Sequence, residues 1–341
     1  MSAVTSANSA FIERLLNDIS PEILSKLVQD HQTAGIVRQF GNVQKTLDIP
    51  QFNGVKRLVR GFKKDGSAKG EEFNFDKVQL SVGKFMVVLD VTPAEDIQEA
   101  FISHLAASGI IASTLNADVY ALQFFTWLLG FSMQYMDAEM EDADWQAITV
   151  TTGPNAAEDA DMIHKFTGFR RQAATLCAAG NGTVVTTGAI DSTNAVEKVE
   201  LFYGGFDKQI KKRGGVIFCS FNLFDNYKLR YRSLNSGREL GVETYKDTNY
   251  MAAPIYLGGG KTYLVPVQGI GDDDVLIGTL PEYMAIGYNM MGGWDVQKRG
   301  FTNYGYLALK YGVTFLMRYA GYLLCNDRLI AVEVTTPRTN A

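Results

Sequence analysis

Cysteine and histidine are both scarce, with three of each in 341 residues, and neither set is grouped. Cys177, Cys219 and Cys325 lie far apart in apolar settings, which points to a reducing compartment and excludes a disulfide framework. His31, His104 and His164 have neither metal-ligand spacing nor a partner motif, so no histidine metal centre is expected. Long apolar runs are missing too. The most apolar window, residues 304–325, is interrupted by Lys310 and Arg318 and alternates like a strand, which argues against a membrane-spanning helix. The opening MSAVTSANSA has no basic flank and no apolar stretch, so no secretory leader is expected there. Proline is sparse, eight residues against 33 glycines, a balance that predicts many tight turns. Net charge is −5, which argues against a general nucleic-acid binder, although the charge is segmented along the chain.

What is present is a hydrophobic content of 46% with charged residues at 20%, the balance of a soluble globular protein rather than a disordered one. Twenty Phe and 16 Tyr supply large buried or interface surfaces. The length allows two cores, or one core with long excursions.

The stretch Val55 to Val91 reads as a long β-hairpin too exposed to be a core. Its first arm mixes Lys56, Arg57, Arg60 and Lys63 with Val55, Leu58, Val59 and Phe62. A tip follows from Lys64 to Gly70, containing Lys69 and the turn-forming pair Asp65-Gly66. The second arm alternates with period two but changes phase twice. Phe73 and Phe75 are odd, Val78, Leu80 and Val82 even, and Phe85, Val87, Leu89 and Val91 odd again. Each change turns the apolar set to the other face unless a bulge absorbs a residue, and Gly83 suits the second change. An isolated ribbon is marginal in water, so this one is expected to lie on a neighbouring molecule.

Elsewhere Ser20-Pro-Glu opens a helix, and residues 33–53 show no strong periodicity. Thr92-Pro-Ala-Glu95 is a capping box leading Ile97, Phe101 and Leu105 along a helix to about residue 107. A long helix, apolar nearly all round, runs from about Ala117 to Met140, with its acidic end continuing to about residue 145. Residues 149–188 are expected to hold loops and a helix near 157–171. A helix from Asn194 to Arg213 precedes a buried strand at 216–220 and a helix through Leu223 and Tyr231. Strands follow at 255–257, 263–267 and 275–279, which makes 190–290 a compact α/β unit. In the C-terminal region, alternation continues through Val313, Phe315, Met317 and Tyr319. Asn326-Asp-Arg reads as the turn of a hairpin between Leu323–Cys325 and Leu329–Val334.

No catalytic pattern emerges. Gly258-Gly-Gly-Lys261-Thr262 lacks the earlier glycine of a phosphate loop, since Ile255 stands there, and a strand follows instead of a helix; a hairpin turn is the better reading. Gly269-Ile-Gly271 has Asp274 where a dinucleotide loop needs its third glycine. Asp137, Glu139, Glu141, Asp142 and Asp144 lack a fixed cation-ligand spacing and read as a solvated helix end, as Asp272-Asp-Asp274 reads as a solvated turn. The basic hairpin residues could touch phosphates, but with only Phe62 nearby for stacking a solvated or protein-binding hairpin is the better reading.

The order of these parts resembles the major capsid proteins of tailed phages, the Hong-Kong-ninety-seven-type capsid fold shared with encapsulins. GTLPEYMAIGYNM (278–290) and YLALKYGVTFLMRYAGYLLCNDRLIAV (306–332) carry the likeness along with element order. The resemblance implies an α+β fold with an N-terminal arm (1–53) and an extended hairpin, the E-loop (54–91). A P-domain with a spine helix (92–180), an A-domain (181–290) and P-domain return strands (291–341) complete it. It implies a self-assembling icosahedral head shell around double-stranded DNA in the virion. The expected partners are further copies of the chain in pentamers and hexamers, a scaffolding protein, a portal and decoration proteins, with no membrane, cofactor, metal or catalysis. Candidate inter-subunit contacts are Lys56, Arg57, Arg60, Phe62, Lys63, Lys64, Lys69, Phe73 and Phe75. The alternatives are an encapsulin-type compartment shell and an α/β enzyme with an unrecognised site.

Overall fold

The structure is a computed structural model that describes residues 32–53, 74–91, 95–111, 117–151, 155, 161–234, 255–257, 262–290, 295–299, 302–318 and 320–335. The helix expected at Ser20 lies outside them.

Two sheets and a two-stranded ribbon organise the described chain. The ribbon pairs β2 (Thr46–Asn53) antiparallel with β3 (Asn74–Ser81), from Thr46 opposite Ser81 to Asn53 opposite Asn74. A five-stranded sheet contains β1 (Arg38–Phe40), β4 (Gly83–Val91), β10 (Met284–Met290), β11 (Asp295–Arg299) and β12 (Thr302–Phe315). The 14-residue β12 is its axis. β4 pairs along it from Asn303 to Tyr311, and β10 and β11 share its other edge.

The six-stranded sheet has the order β5-β13-β9-β6-β8-β7. Its members are β5 (Thr183–Val185), β6 (Val216–Cys219), β7 (Ile255–Leu257), β8 (Thr262–Pro266), β9 (Leu276–Thr279) and β13 (Leu324–Asn326). β6 is apolar at every position because both faces of this sheet are covered. Val216 and Phe218 point into one core, Ile217 and Cys219 into another. The second core is closed by the helices α4 (Ala195–Gly204), α5 (Lys208–Arg213) and α6 (Phe221–Leu234), through Val199, Phe202, Ile210, Leu223 and Phe224.

The first core joins the two sheets. Between Phe218 and Ile277 of one and Ile286, Tyr311 and Phe315 of the other lie Trp145 and Phe169. Trp145 belongs to the spine, α2 (Ala117–Gln146), which follows α1 (Glu95–Ala107); Phe169 opens α3 (Phe169–Ala178). The 30-residue spine, about 45 Å long at 1.5 Å per residue, is the expected one.

Several expectations are corrected. The arm expected to be aperiodic contains β2, so the ribbon starts at Thr46 rather than Val55. The supposed second hairpin arm is two strands. Val82 separates β3, in the ribbon, from β4, in the five-stranded sheet, and the change of phase near Gly83 is this change of sheet. That arm is not exposed throughout either, because Val78 and Leu80 are buried. The helix expected near 157–171 begins at Phe169, after a short 3-10 turn at Met162–His164. Residues 166–177 supply one face of the core, with Phe169, Ala173 and Ala174 fully buried and Thr175 exposed. The helix expected from 194 to 213 is broken at Gly205. A β-carbon there would come within 2.9 Å of Leu324 and Val185 side chains. Asp207 then starts α5 by accepting from the Gln209 N–H at 2.8 Å.

The hairpin expected at Asn326-Asp-Arg is instead a strand end followed by a helical turn, α7 (Asp327–Ile330), extended through Thr335. Asn326 decides this. Its Oδ1 accepts from Leu329 N–H at 3.2 Å and Leu276 N–H at 3.1 Å, while its Nδ2 donates to the Asp274 carbonyl at 2.7 Å. Asp327 accepts from the Thr187 and Gly188 N–H groups at 2.8 and 3.1 Å. Burial raises its carboxyl, but these donors outweigh that and hold it below the ordinary value. A depressed carboxyl stabilises the fold above the unfolded value, about 4, and loses that contribution as pH falls through the folded value. Asp327→Ala should therefore reduce stability at neutral pH and flatten the acid limb of a stability–pH curve, read from denaturation midpoints. An unchanged acid limb would contradict this.

Candidate assembly surfaces

The ribbon leaves the subunit from a fixed root. Leu80 packs with Ala285 and Leu316, and Phe40, Leu47 and Ile49 lie against that cluster. Leu80 seats where the sheet has no side chains. Gly287 and Gly312 stand opposite each other on β10 and β12. A β-carbon on Gly287 would lie 2.8 Å from Leu80 Cδ2, and one on Gly312 would lie 2.2 Å from the Ser81 carbonyl oxygen. This paired notch lets the chain cross from ribbon to sheet in direct contact with β12. Farther out, Lys77 donates to Asp48 at 2.7 Å across the strands, and Gln79 to the same carboxylate at 3.3 Å. The hydrogen bond from Lys77 is the main reason Asp48 is held below the ordinary carboxylate value. Both side chains are solvated, so the pair adds little stability.

Residues 54–73 connect Asn53 to Asn74 and lie outside the described residues, and with them Lys56, Arg57, Arg60, Phe62, Lys63, Lys64, Lys69 and Phe73. Of the sequence candidates only Phe75 is placed, in β3 opposite Phe52.

The acidic end of the spine is not uniformly solvated, which corrects the sequence reading. Glu141 and Asp144 are buried, Glu139 is exposed, and burial pushes the Asp142 carboxyl up. Glu141 accepts from Thr33 N–H at 2.9 Å and from its hydroxyl at 2.5 Å, and Trp145 Nε1 donates to the same hydroxyl at 2.6 Å. Gln32 donates to the Pro266 carbonyl at 2.6 Å. These contacts fix residues 32 and 33 against the spine and β8. Asp144 accepts from the Tyr311 hydroxyl at 3.0 Å, and burial first, then the Asp144 charge, pushes that phenol well up. Gly269 belongs here: a β-carbon on it would lie 2.1 Å from the Glu141 carbonyl oxygen, so glycine is what lets the 268–270 turn touch the spine.

The supposed solvated turn at Asp272–Asp274 is also partly structural. Asp273 pairs at 2.7 Å with Arg170, which is fully buried. Arg170 also lies 3.1 Å from the buried Glu333 and donates to the Ile270 carbonyl. Sequence reading missed Arg170, Thr33 and Glu333, because single polar residues in otherwise apolar segments carry no signal of their distant partners. Gly258 to Lys261 lie outside the described residues. The flanking β7 and β8 pair antiparallel, Leu257 opposite Thr262. Among the described residues no group of three or more His, Cys, Asp or Glu could hold a metal ion, and no helix is long and apolar enough to cross a membrane.

Neither protein-family models nor curated proteins match the sequence. Among solved structures, a chain of the satellite phage P4 procapsid, determined with its size determination (Sid) protein, is similar at TM-score 0.59 and 8% identity. The match covers 91% of this chain and 90% of that one. A chain of the cyanophage A-1(L) capsid asymmetric unit is similar at TM-score 0.51 and 11% identity, with 87% and 92% covered. At these identities the likeness is one of fold, and that fold, across most of this chain, is the α+β fold of tailed-phage capsid proteins.

Proposed function

We propose that this chain is the major capsid protein of a tailed bacteriophage, a structural subunit that assembles with copies of itself into an icosahedral shell around double-stranded DNA. The observation that supports this most is the fold shared with the P4 procapsid chain over 91% of the sequence. In this reading the protein works in the virion by shape and contact, without cofactor or catalysis. A scaffolding protein directs assembly, a portal occupies one vertex, decoration proteins bind outside, and DNA is held by non-specific contact. Residues 1–53 serve as the arm, 54–91 as the E-loop, 92–180 and 291–341 as the P-domain and 181–290 as the A-domain. The E-loop contacts are Lys56, Arg57, Arg60, Phe62, Lys63, Lys64, Lys69, Phe73 and Phe75. Long projections exchanged between neighbours add many weak contacts into a large avidity.

Negative-stain microscopy and sedimentation of the purified chain, alone and co-expressed with its neighbouring genes, test this. Rings or closed shells are expected, and a chain that stays monomeric in both settings refutes the reading. The hairpin provides a second test. Asn53 and Asn74 face each other at the end of the ribbon, so residues 54–73 can be replaced by a two-residue Asn-Gly turn. A shorter loop lowers the closure entropy slightly, and the segment carries few apolar side chains, so the melting temperature should hardly move. Shells should not form, or should fall apart at moderate salt as weak ion pairs are screened. Unfolding of the shortened chain, or normal salt-resistant shells, would refute the assigned role.

A further inference from the structure

The six-stranded sheet is polarised in charge along its strands. One end is marked by Val216, where β6 begins, and its neighbours Thr279 and Tyr263. α5 lies at this end. Asp207 N–H donates to the Gly321 carbonyl at 3.1 Å, Tyr322 donates to Gln209 at 3.0 Å, and Arg213 pairs with Glu282 and donates to the Tyr283 hydroxyl at 2.8 Å. Lys208, Lys212 and Arg213 are exposed there and Lys211 is half-buried. Lys211 stands 4.7 Å over the Tyr203 ring and Arg213 5.7 Å over the Tyr283 ring. The acids at this end among the described residues are Asp207 and Glu282, so the surface is net positive and rich in tyrosine.

The opposite end is marked by Cys219, where β6 stops, with Pro266 and Leu276 beside it. Around it stand Asp191, Asp272, Asp274 and Asp327, with Asp225 one turn into α6. Asp272 accepts from Asn222 at 3.2 Å and Asp274 from the Ile190 N–H at 3.4 Å, which ties both to this end. The side-chain and backbone donors of Thr193 hold Asp191 below the ordinary carboxylate value, so it is charged at neutral pH. The cations here among the described residues include Arg170, already bound to Asp273, Lys228, which is 3.5 Å from Asp225, Arg230, which is paired with Glu197 and close enough to Asp191 to lower its carboxyl further, and Arg328.

We propose that these two ends are the halves of one head-to-tail contact, the basic, tyrosine-rich end of one copy seating on the acidic end of the next. The inference rests on the shell reading, because it names which surfaces of the assembling subunit meet. Opposite signs favour the unlike pairing and repel end-to-end pairing of like ends, which disfavours a two-fold dimer through either surface. A contact between different patches of identical copies propagates, and closes into a ring when the rotation allows. Tyr and Arg are also the residues that concentrate binding energy at protein interfaces. A nucleic acid would suit the basic end alone and would leave the acidic end unexplained.

Three full-length variants test the contact. One carries Lys208→Glu and Lys212→Glu, a second Asp225→Lys and Asp272→Lys, and a third all four changes. The replaced side chains are exposed, and thermal melts check that each variant is folded; one that melts early is replaced by its Gln or Asn counterpart, expected to lose part of the assembly. Assembled mass is read by sedimentation under conditions where the unaltered chain assembles. Each two-residue reversal should lower it by about tenfold or more at low salt, and the fourfold reversal, which restores opposite signs, should regain most of it. Normal assembly of either two-residue variant overturns the contact, as does a fourfold variant no better than its parents. Shells of normal yield that lose retained nucleic acid in the lysine variant would make the basic end a nucleic-acid surface and also overturn it. Failure of the unaltered chain to assemble would instead remove the shell reading beneath it.

Discussion

Replacing Arg170 by alanine should destabilise the subunit by about 3–5 kcal/mol, the range for breaking a buried ion pair and leaving one charge uncompensated. The guanidinium is fully buried at the start of α3, 3.1 Å from Glu333, which is itself buried. It ties α3 to the 270–273 turn and to the C-terminal helical turn, three segments distant in sequence. The Asp273 arm is different, because that side chain is 43% exposed and water can take over its solvation. Asp273→Asn should therefore cost about 1 kcal/mol or less. The mechanism makes a further claim. If the penalty in Arg170→Ala comes from stranding Glu333, then Arg170→Met combined with Glu333→Leu should recover much of the loss. Denaturant midpoints at unchanged slope measure all three. A double variant as unstable as Arg170→Ala would show that packing volume, not charge, sets the penalty.

Gly312→Ala is the second large effect expected. Its added methyl would fall 2.2 Å from the Ser81 carbonyl oxygen and 3.2 Å from Val82 Cα, both backbone atoms of the crossing between ribbon and sheet. Neither can swing aside as a side chain can, so β3 or β12 must shift. Overpacking of this kind costs about 1–3 kcal/mol and occasionally more, and the backbone clash places this variant at the upper end. Its partner supplies the control. Gly287→Ala meets Leu80 and Val82 side-chain atoms at 2.8–3.2 Å, which can adjust their rotamers, so its loss should be smaller. Equal losses for the two glycines would contradict the argument. Displacement of the ribbon root in Gly312→Ala would also redirect residues 54–73, so shell yield should fall further than stability alone accounts for.

Elements whose side chains repeat with one period against one surface could be read from the residues alone. The spine was legible because its apolar residues persist over many turns, and β6 because a strand covered on both faces is apolar at each position. The order of these parts was enough to suggest the capsid fold, since that fold is defined by sequence of elements rather than by a catalytic motif. Tertiary structure alone decided what depends on a distant partner. Two phase changes in 73–91 could be a twisted ribbon or a change of sheet, and only β12, more than 200 residues later, makes the second one real. Asn326-Asp-Arg has the composition of a turn, but a side chain whose acceptor bonds reach both Leu276 and Leu329 makes it a helix cap. The acids of the spine end and of 272–274 look alike in sequence. Some became solvated and others buried because Thr33, Tyr311 and Arg170 arrive from elsewhere in the chain to satisfy them. A polar residue's role is set by whether folding brings it a partner, and no local pattern encodes that.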